Sequence, residues 1–253
     1  MIASLPMYDR PETAAANDRL WSGIARVLRQ RGIDAPEALD RDTGLWEAWQ
    51  SPDLLLSQTC GLPYRTRLHA TVALVATPVC ALDGVPPGYY QSVLVARRDD
   101  PRRRLSDFAG ATLACNDTLS QSGWAAPMTE AAATGITLGP TLITGAHRQS
   151  AAAVADGRAD IAAIDALTWA MIRRWDPCAA MLREIGTTAP TPALPWITGR
   201  PDLVPALAEA LDQGVAALSA DDRAMLGITG TIRLGREAYL AVPTPPAGSS
   251  EPA

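Results

Sequence analysis

Short apolar runs alternate with helix-patterned segments along most of this chain, and nearly every run ends in a polar loop. Ile2-Ala3-Ser4-Leu5 opens the pattern. A stripe of Leu20, Trp21, Ile24, Val27 and Leu28 then places a helix over 11–31, with Gly32 as its stop. Strands are expected over 53–57 and 71–77. After the break at Pro86-Pro87-Gly88, more follow over 89–97, 111–115, 142–144, 161–165 and 181–186. The intervening stretches read as helices or helical turns, and an amphipathic helix is expected over 201–218. Such alternation specifies an α/β fold built on mostly parallel sheets. The Pro-rich breaks near 86 and 191 bracket a self-contained block. Two lobes are therefore expected, 1–86 plus 192–242 and 87–191, with a cleft between them. A Pro-, Gly- and Ser-rich tail over 243–253 is expected to be disordered. No internal repeat is found.

Composition narrows the function. Hydrophobic residues make up 47% and charged residues 19% of the 253, which suits packed cores and not disorder. The net charge of −5 weighs against a nucleic-acid or anionic-membrane partner. Every basic side chain is arginine, a bias without functional content. Cys60, Cys80, Cys115 and Cys178 show no CxxC spacing, and only His69 and His147 accompany them. No zinc site is written here, and buried free thiols are expected. The absence of a phosphate-binding Walker loop and of Gly-x-Gly-x-x-Gly leaves no nucleotide or other cofactor expected. The first residues lack a basic segment, a long apolar segment and an Ala-x-Ala site, from which a chain without an export signal is expected. No apolar run reaches 18 residues, so no transmembrane helix is expected.

The loops after the strands carry the chemistry, because ligands of open α/β sheets sit beyond the carboxyl ends of strands. Asn116 to Gly123 is the richest of them. Ser120, Gln121, Ser122 and Gly123 stand where a helix begins, and two readings are open. Ser120 or Ser122 caps the helix; or the hydroxyls and the unpaired first N–H groups form a nest for an anion. Residues 144–150 repeat the pattern, with His147 or Ser150 as the expected cap and His147 as a possible donor to an oxyanion. Asp165 ends an apolar strand, either as a cap or as a partner for a cation or hydroxyl. Tyr8, Tyr89 and Tyr90 either wall a cleft or pack a core, and the loop Ser57-Gln58-Thr59-Cys60-Gly61 places Thr59 at another strand end. Ser122, His147 and Asp165 have the elements of a hydrolytic triad. Without a Gly-x-Ser-x-Gly elbow no catalytic residue is assigned.

The ordered set Gly88-Tyr89-Tyr90-Gln91-Ser92-Val93-Leu94-Val95, Leu105-Ser-Asp-Phe-Ala-Gly110, Ser120-Gln-Ser-Gly123, Gly145-Ala-His147 and Val154-Ala-Asp-Gly157-Arg-Ala-Asp160 resembles one family. This is the phosphate/phosphite/phosphonate-binding proteins of ABC importers, with the type II periplasmic-binding-protein fold. The resemblance implies a two-lobed clamp closing on a small oxyanion, with an ABC permease as partner and a periplasmic location. It implies ligand contacts from Ser120, Gln121, Ser122, Gly123 and His147, from Tyr90 (or Tyr89), and from Tyr8, Thr59 and Asp165. Asp165 sits two residues before the family's ammonium-binding carboxylate, and the stretch 187–195 offers no second acid. The expected absence of an export signal would also depart from the family pattern. An enzyme on the same fold acting on a small cofactor precursor, or a ligand-sensing domain, are the alternatives.

Overall fold

The computed structural model describes residues 1–245; the tail expected to be disordered falls, from residue 246, outside the described residues. In chain order the strands are β1 (Ile2–Ser4), β2 (Leu54–Gln58), β3 (Ala73–Cys80), β4 (Tyr89–Tyr90), β5 (Ser92–Arg97), β6 (Leu113–Cys115), β7 (Thr141–Ile143), β8 (Ile161–Asp165), β9 (Leu182–Thr187), β10 (Thr191–Pro192), β11 (Trp196–Thr198) and β12 (Ile228–Ile232). They form a sheet of order β1-β2-β11-β3-β12, a sheet of order β7-β6-β8-β5-β9, and a two-stranded ribbon of β10 and β4. The chain divides into two compact units. One comprises Met1–Tyr89 with Pro192–Ala241, and the other is built around Tyr90–Thr191.

Each sheet has aligned strands and a reversed one. Where a helix connects two neighbouring strands, the pair is parallel: β1 with β2, and β6 with β7. In each sheet one strand is inserted the other way, and β12 also runs antiparallel to β3 at the edge of the first sheet. β11 lies antiparallel between β2 and β3, and β5 lies antiparallel between β8 and β9. Neither inserted strand is joined to its neighbours by a helical crossover, so the rule that makes crossover pairs parallel does not act on it. Sequence alternation cannot reveal an insertion of this kind. The strand expected over 89–97 is also broken, at Gln91, into β4 and β5.

In the first unit the sheet is buried on both faces. Trp196 and Ile197 are adjacent in β11 and join opposite clusters, as the two-residue period of a strand requires. On one face the helices Ala14–Gln30 and Val204–Ala217 contribute Leu20, Trp21, Ile24, Leu28, Leu207, Leu211 and Val215. On the other face Trp49, Tyr64, Leu68 and Tyr239 cover Leu54 and Ile197. The two helices approach closely because Gly214 carries no side chain; a Cβ there would lie 2.7 Å from Ile24 Cγ1.

The second unit packs Phe108, Leu105, Leu113, Leu138 and Ile161 against Leu94 and Ala96 of β5. β6, β7 and β8 are mutually aligned through the parallel pairs β6–β7 and β6–β8. Their carboxyl ends therefore face the same way, and the loops at 116, 144 and 165 emerge along one edge. Because β5 runs opposite to β8, its first residue, Ser92, pairs with Asp165 and reaches the same edge. No helix among the described residues is long and apolar enough to cross a membrane. None of the four cysteines forms a disulfide; Cys115 alone is fully buried, the other three half-buried.

Candidate functional site

Four pieces of the second unit meet at that edge. The first is the loop after β6. Ser120 adopts an extended backbone and caps a helical turn, its Oγ accepting the Gly123 N–H at 2.9 Å. The cap reading is thus correct for Ser120. The turn that follows, Gln121–Ala125, is π-helical, with the wide spacing that often marks functional positions, and it leads into the helix Ala126–Ala133. The cap takes the N–H of the third residue of the turn, Gly123. Ser120, Gln121 and Ser122 are all at most 5% exposed. Gly123 is required for a packing reason: a Cβ would fall 1.9 Å from Asn116 Oδ1 and 3.2 Å from Ser120 Oγ.

The second piece is the loop after β7. The β6–β7 ladder continues past the strand ends through Thr144 N–H to the Cys115 carbonyl (2.8 Å) and Gly145 N–H to the Asn116 carbonyl (3.1 Å). Gly145 then turns the chain with φ of +88°, a conformation glycine adopts without strain. The helix His147–Ala155 follows at once. Its cap position is Ala146, not His147 or Ser150 as expected, with no side-chain cap bond. Ser150 instead bonds the Thr144 hydroxyl at 2.7 Å and locks the loop to the helix. His147, at the first helical position, is thereby aimed back at the first loop: its Nε2 lies 2.9 Å from Ser122 Oγ. Its Nδ1 is buried with no partner. Burial holds the imidazolium pKa down at about 4, so the ring is neutral at physiological pH.

The third piece is Ser92, which the sequence reading did not single out. Its hydroxyl donates to the Ser122 carbonyl at 2.9 Å, and its backbone exchanges bonds with Thr188. A serine in an otherwise apolar strand was the available signal. Asn116 was also missed. Its Oδ1 is buried without a partner beside Gly123, at the first position of the polar loop.

The fourth piece is Asp165. Its Oδ1 accepts the N–H groups of Leu167 (2.9 Å) and Thr168 (3.0 Å), which makes it the cap of the helix Ala166–Trp175. Its carboxylate is 2% exposed. Tyr90 of β4 is buried as well, and Tyr89 is half-buried.

The remaining expected contacts belong to the first unit. Tyr8 is buried at the end of the 3-10 turn Pro6–Tyr8, its carbonyl held by the Thr13 hydroxyl at 2.7 Å. Thr59 is fully buried, and its N–H donates to the Pro195 carbonyl at 3.0 Å. The structure thus brings together Ser120, Ser122, Gly123 and His147, and places Asp165 on the same edge through Ser92.

The site edge is poor in free cations. Arg148, next to His147, pairs with Asp176 at 2.7 Å. Among the described residues, no group of three or more His, Cys, Asp or Glu side chains gathers as a metal site would need. Cys115 donates to the Asp117 carbonyl at 3.0 Å, and burial pushes its thiol up to about 12, which leaves it unreactive. Apart from the Asp165 carboxylate, the edge offers neutral groups: hydroxyls, backbone N–H groups and an uncharged imidazole.

Residues 53–236 match the family model described as ABC transporter, phosphonate, periplasmic substrate-binding protein. A search of curated proteins returns no match. Among solved structures, XAC2383 from Xanthomonas citri bound to chloride is 20% identical, with 94% of this chain and 93% of that one covered and a TM-score of 0.68. A binding-protein component of an ABC phosphonate transporter from Pseudomonas aeruginosa is 18% identical, covering 93% and 82%, also at 0.68. PhnD1 from Prochlorococcus marinus in complex with methylphosphonate is 14% identical, covering 94% of both chains at 0.69. At these identities the likeness is one of fold.

Proposed function

We propose that this chain, which belongs to the phosphonate-binding family of ABC-transporter periplasmic substrate-binding proteins, binds a small oxyanion (phosphate, phosphite or a phosphonate) at the Ser120–Gly123 turn and delivers it for ABC-type import. The family is one of substrate-binding proteins and not of enzymes. The observation that carries the reading is the Ser122–His147 hydrogen bond at the start of a π-helical turn, where the partial positive charge of a helix N-terminus favours an anion. Ser120 and Ser122 supply hydroxyls, Gly123 admits the backbone, and Gln121 lies in the same turn. Tyr90 and, from the first unit, Tyr8 and Thr59 are further proposed contacts, and Asp165 is a proposed contact for a cationic or hydroxyl group of the ligand, not for its anionic oxygens. A clamp in which the lobes 1–86 plus 192–242 and 87–191 close on the ligand is part of the same proposal. The partner would be an ABC permease and the compartment the periplasm, as for the family.

A ligand that binds only the folded chain raises its melting temperature with the logarithm of concentration. Thermal unfolding of the purified chain in rising methylphosphonate, phosphite, phosphate and methanesulfonate is expected to show that dependence for at least one of them. A flat response to all four removes the proposal.

A further inference from the structure

We infer that His147 is a positioning residue that fixes the Ser122 hydroxyl as a donor: its Nε2–H points at Ser122 Oγ, and the serine proton is turned away from the ring toward the space a ligand oxygen would take. The inference rests on the reading of the Ser120–Gly123 turn as an oxyanion site, and it deepens that reading.

The argument is one of satisfaction. A neutral imidazole carries its proton on either nitrogen. The Nδ1 of His147 is buried and has no partner. A proton placed there would be an orphaned buried donor, which folded proteins avoid more strictly than an orphaned acceptor. The proton therefore belongs on Nε2, which has Ser122 Oγ at 2.9 Å. With Nε2–H donating, the Ser122 oxygen is an acceptor toward the ring, and its own hydrogen is left to donate elsewhere. The depressed imidazolium pKa agrees, since it keeps the ring in the neutral form that has a tautomer to choose. Ser92 anchors the Ser122 carbonyl at 2.9 Å, which fixes the backbone from which the hydroxyl projects.

Ser120 behaves the same way by a different route. Its oxygen accepts the Gly123 N–H at 2.9 Å, which leaves its hydrogen for an outside acceptor. Both serines then have a proton to donate to a ligand oxygen.

The first test needs no ligand. Nitrogen-15 NMR of the labelled, ligand-free full chain at neutral pH, with the His147 signals assigned by comparison with His69→Gln, is expected to show the Nε2–H tautomer. An Nδ1–H tautomer or an imidazolium overturns the inference. The second test compares His147→Gln, whose amide N–H can reach the same place, with His147→Phe, which has no donor. For methylphosphonate, Gln is expected to stay within a few-fold of the native affinity, and Phe to lose roughly ten- to hundredfold, the range for a hydrogen bond to a charged group. Equal losses in both, or none in Phe, overturn it. If the native chain binds none of the oxyanions tried, the reading of the turn as their site has failed, and the tautomer decides the inference alone.

Discussion

Two strand-to-helix junctions stand side by side in the second unit, and they are capped by opposite chemistry. After β8, the Asp165 carboxylate accepts two N–H groups at the start of the helix Ala166–Trp175. After β6, the neutral Ser120 hydroxyl accepts one N–H, from Gly123, and a second serine is backed by a neutral histidine. Both helix starts carry partial positive charge. At the first, a built-in carboxylate already occupies that field, and a further anion would meet like charge. At the second the cap is neutral, so no like charge stands against an anion there. The difference is one of charge at the cap, and the proposed oxyanion site lies at the neutral one.

The comparison breaks most readily at Gly123. Gly123→Ala puts a methyl on Asn116 Oδ1 and against Ser120 Oγ. A cost of about 1–3 kcal/mol is expected, together with loss of oxyanion binding as the turn is forced open. Denaturant unfolding and calorimetry measure the two effects. Adding Asn116→Ala should recover most of the stability.

Acid acts on the histidine behind the neutral cap. His147 titrates near 6.5 when unconstrained and near 4 in the fold, so the folded state binds the proton more weakly. Its contribution to stability is complete above about pH 6.5 and is lost as the pH falls toward 4. The expected loss is on the order of 1–3 kcal/mol. Denaturant midpoints across that window should fall in the native chain and fall less in His147→Gln; identical slopes would contradict the assignment.

The charged cap should respond in the opposite sense. Asp165→Ala is expected to cost about 1 kcal/mol of stability. Asp165→Asn keeps the cap while removing its charge, so it should leave stability nearly unchanged and raise oxyanion affinity by no more than a few-fold. A large loss of affinity in the Asn variant would mean that the carboxylate itself holds the ligand.

Much of this contrast was readable from the chain. The apolar stripe Leu20, Trp21, Ile24, Val27 and Leu28 is buried in the helix Ala14–Gln30. The stretch after the strand ending at Asp165, read as helical, is the helix Ala166–Trp175. The two polar loops and His147 were visible because each lies a few residues beyond an apolar run. Three things were hidden, each because it joins positions far apart in sequence. The inserted strands β5 and β11 run antiparallel for reasons of connection, and their own residues carry no sign of it. Ser92 reaches Ser122 only because β5 is inverted. Asn116 matters through the space over Gly123, which no spacing encodes. The cap of the helix His147–Ala155 was misplaced because a plain alanine occupies it.

The central claim is that the neutral hydroxyl of Ser122 holds an oxyanion at this turn. Titration calorimetry of methylphosphonate into the native chain and into Ser122→Ala tests it directly. Saturable binding by the native chain and a loss of about 1.5–3 kcal/mol in the variant, with the variant still folded at the temperature of the titration, is the predicted outcome. Equal affinity in the two proteins would contradict the claim.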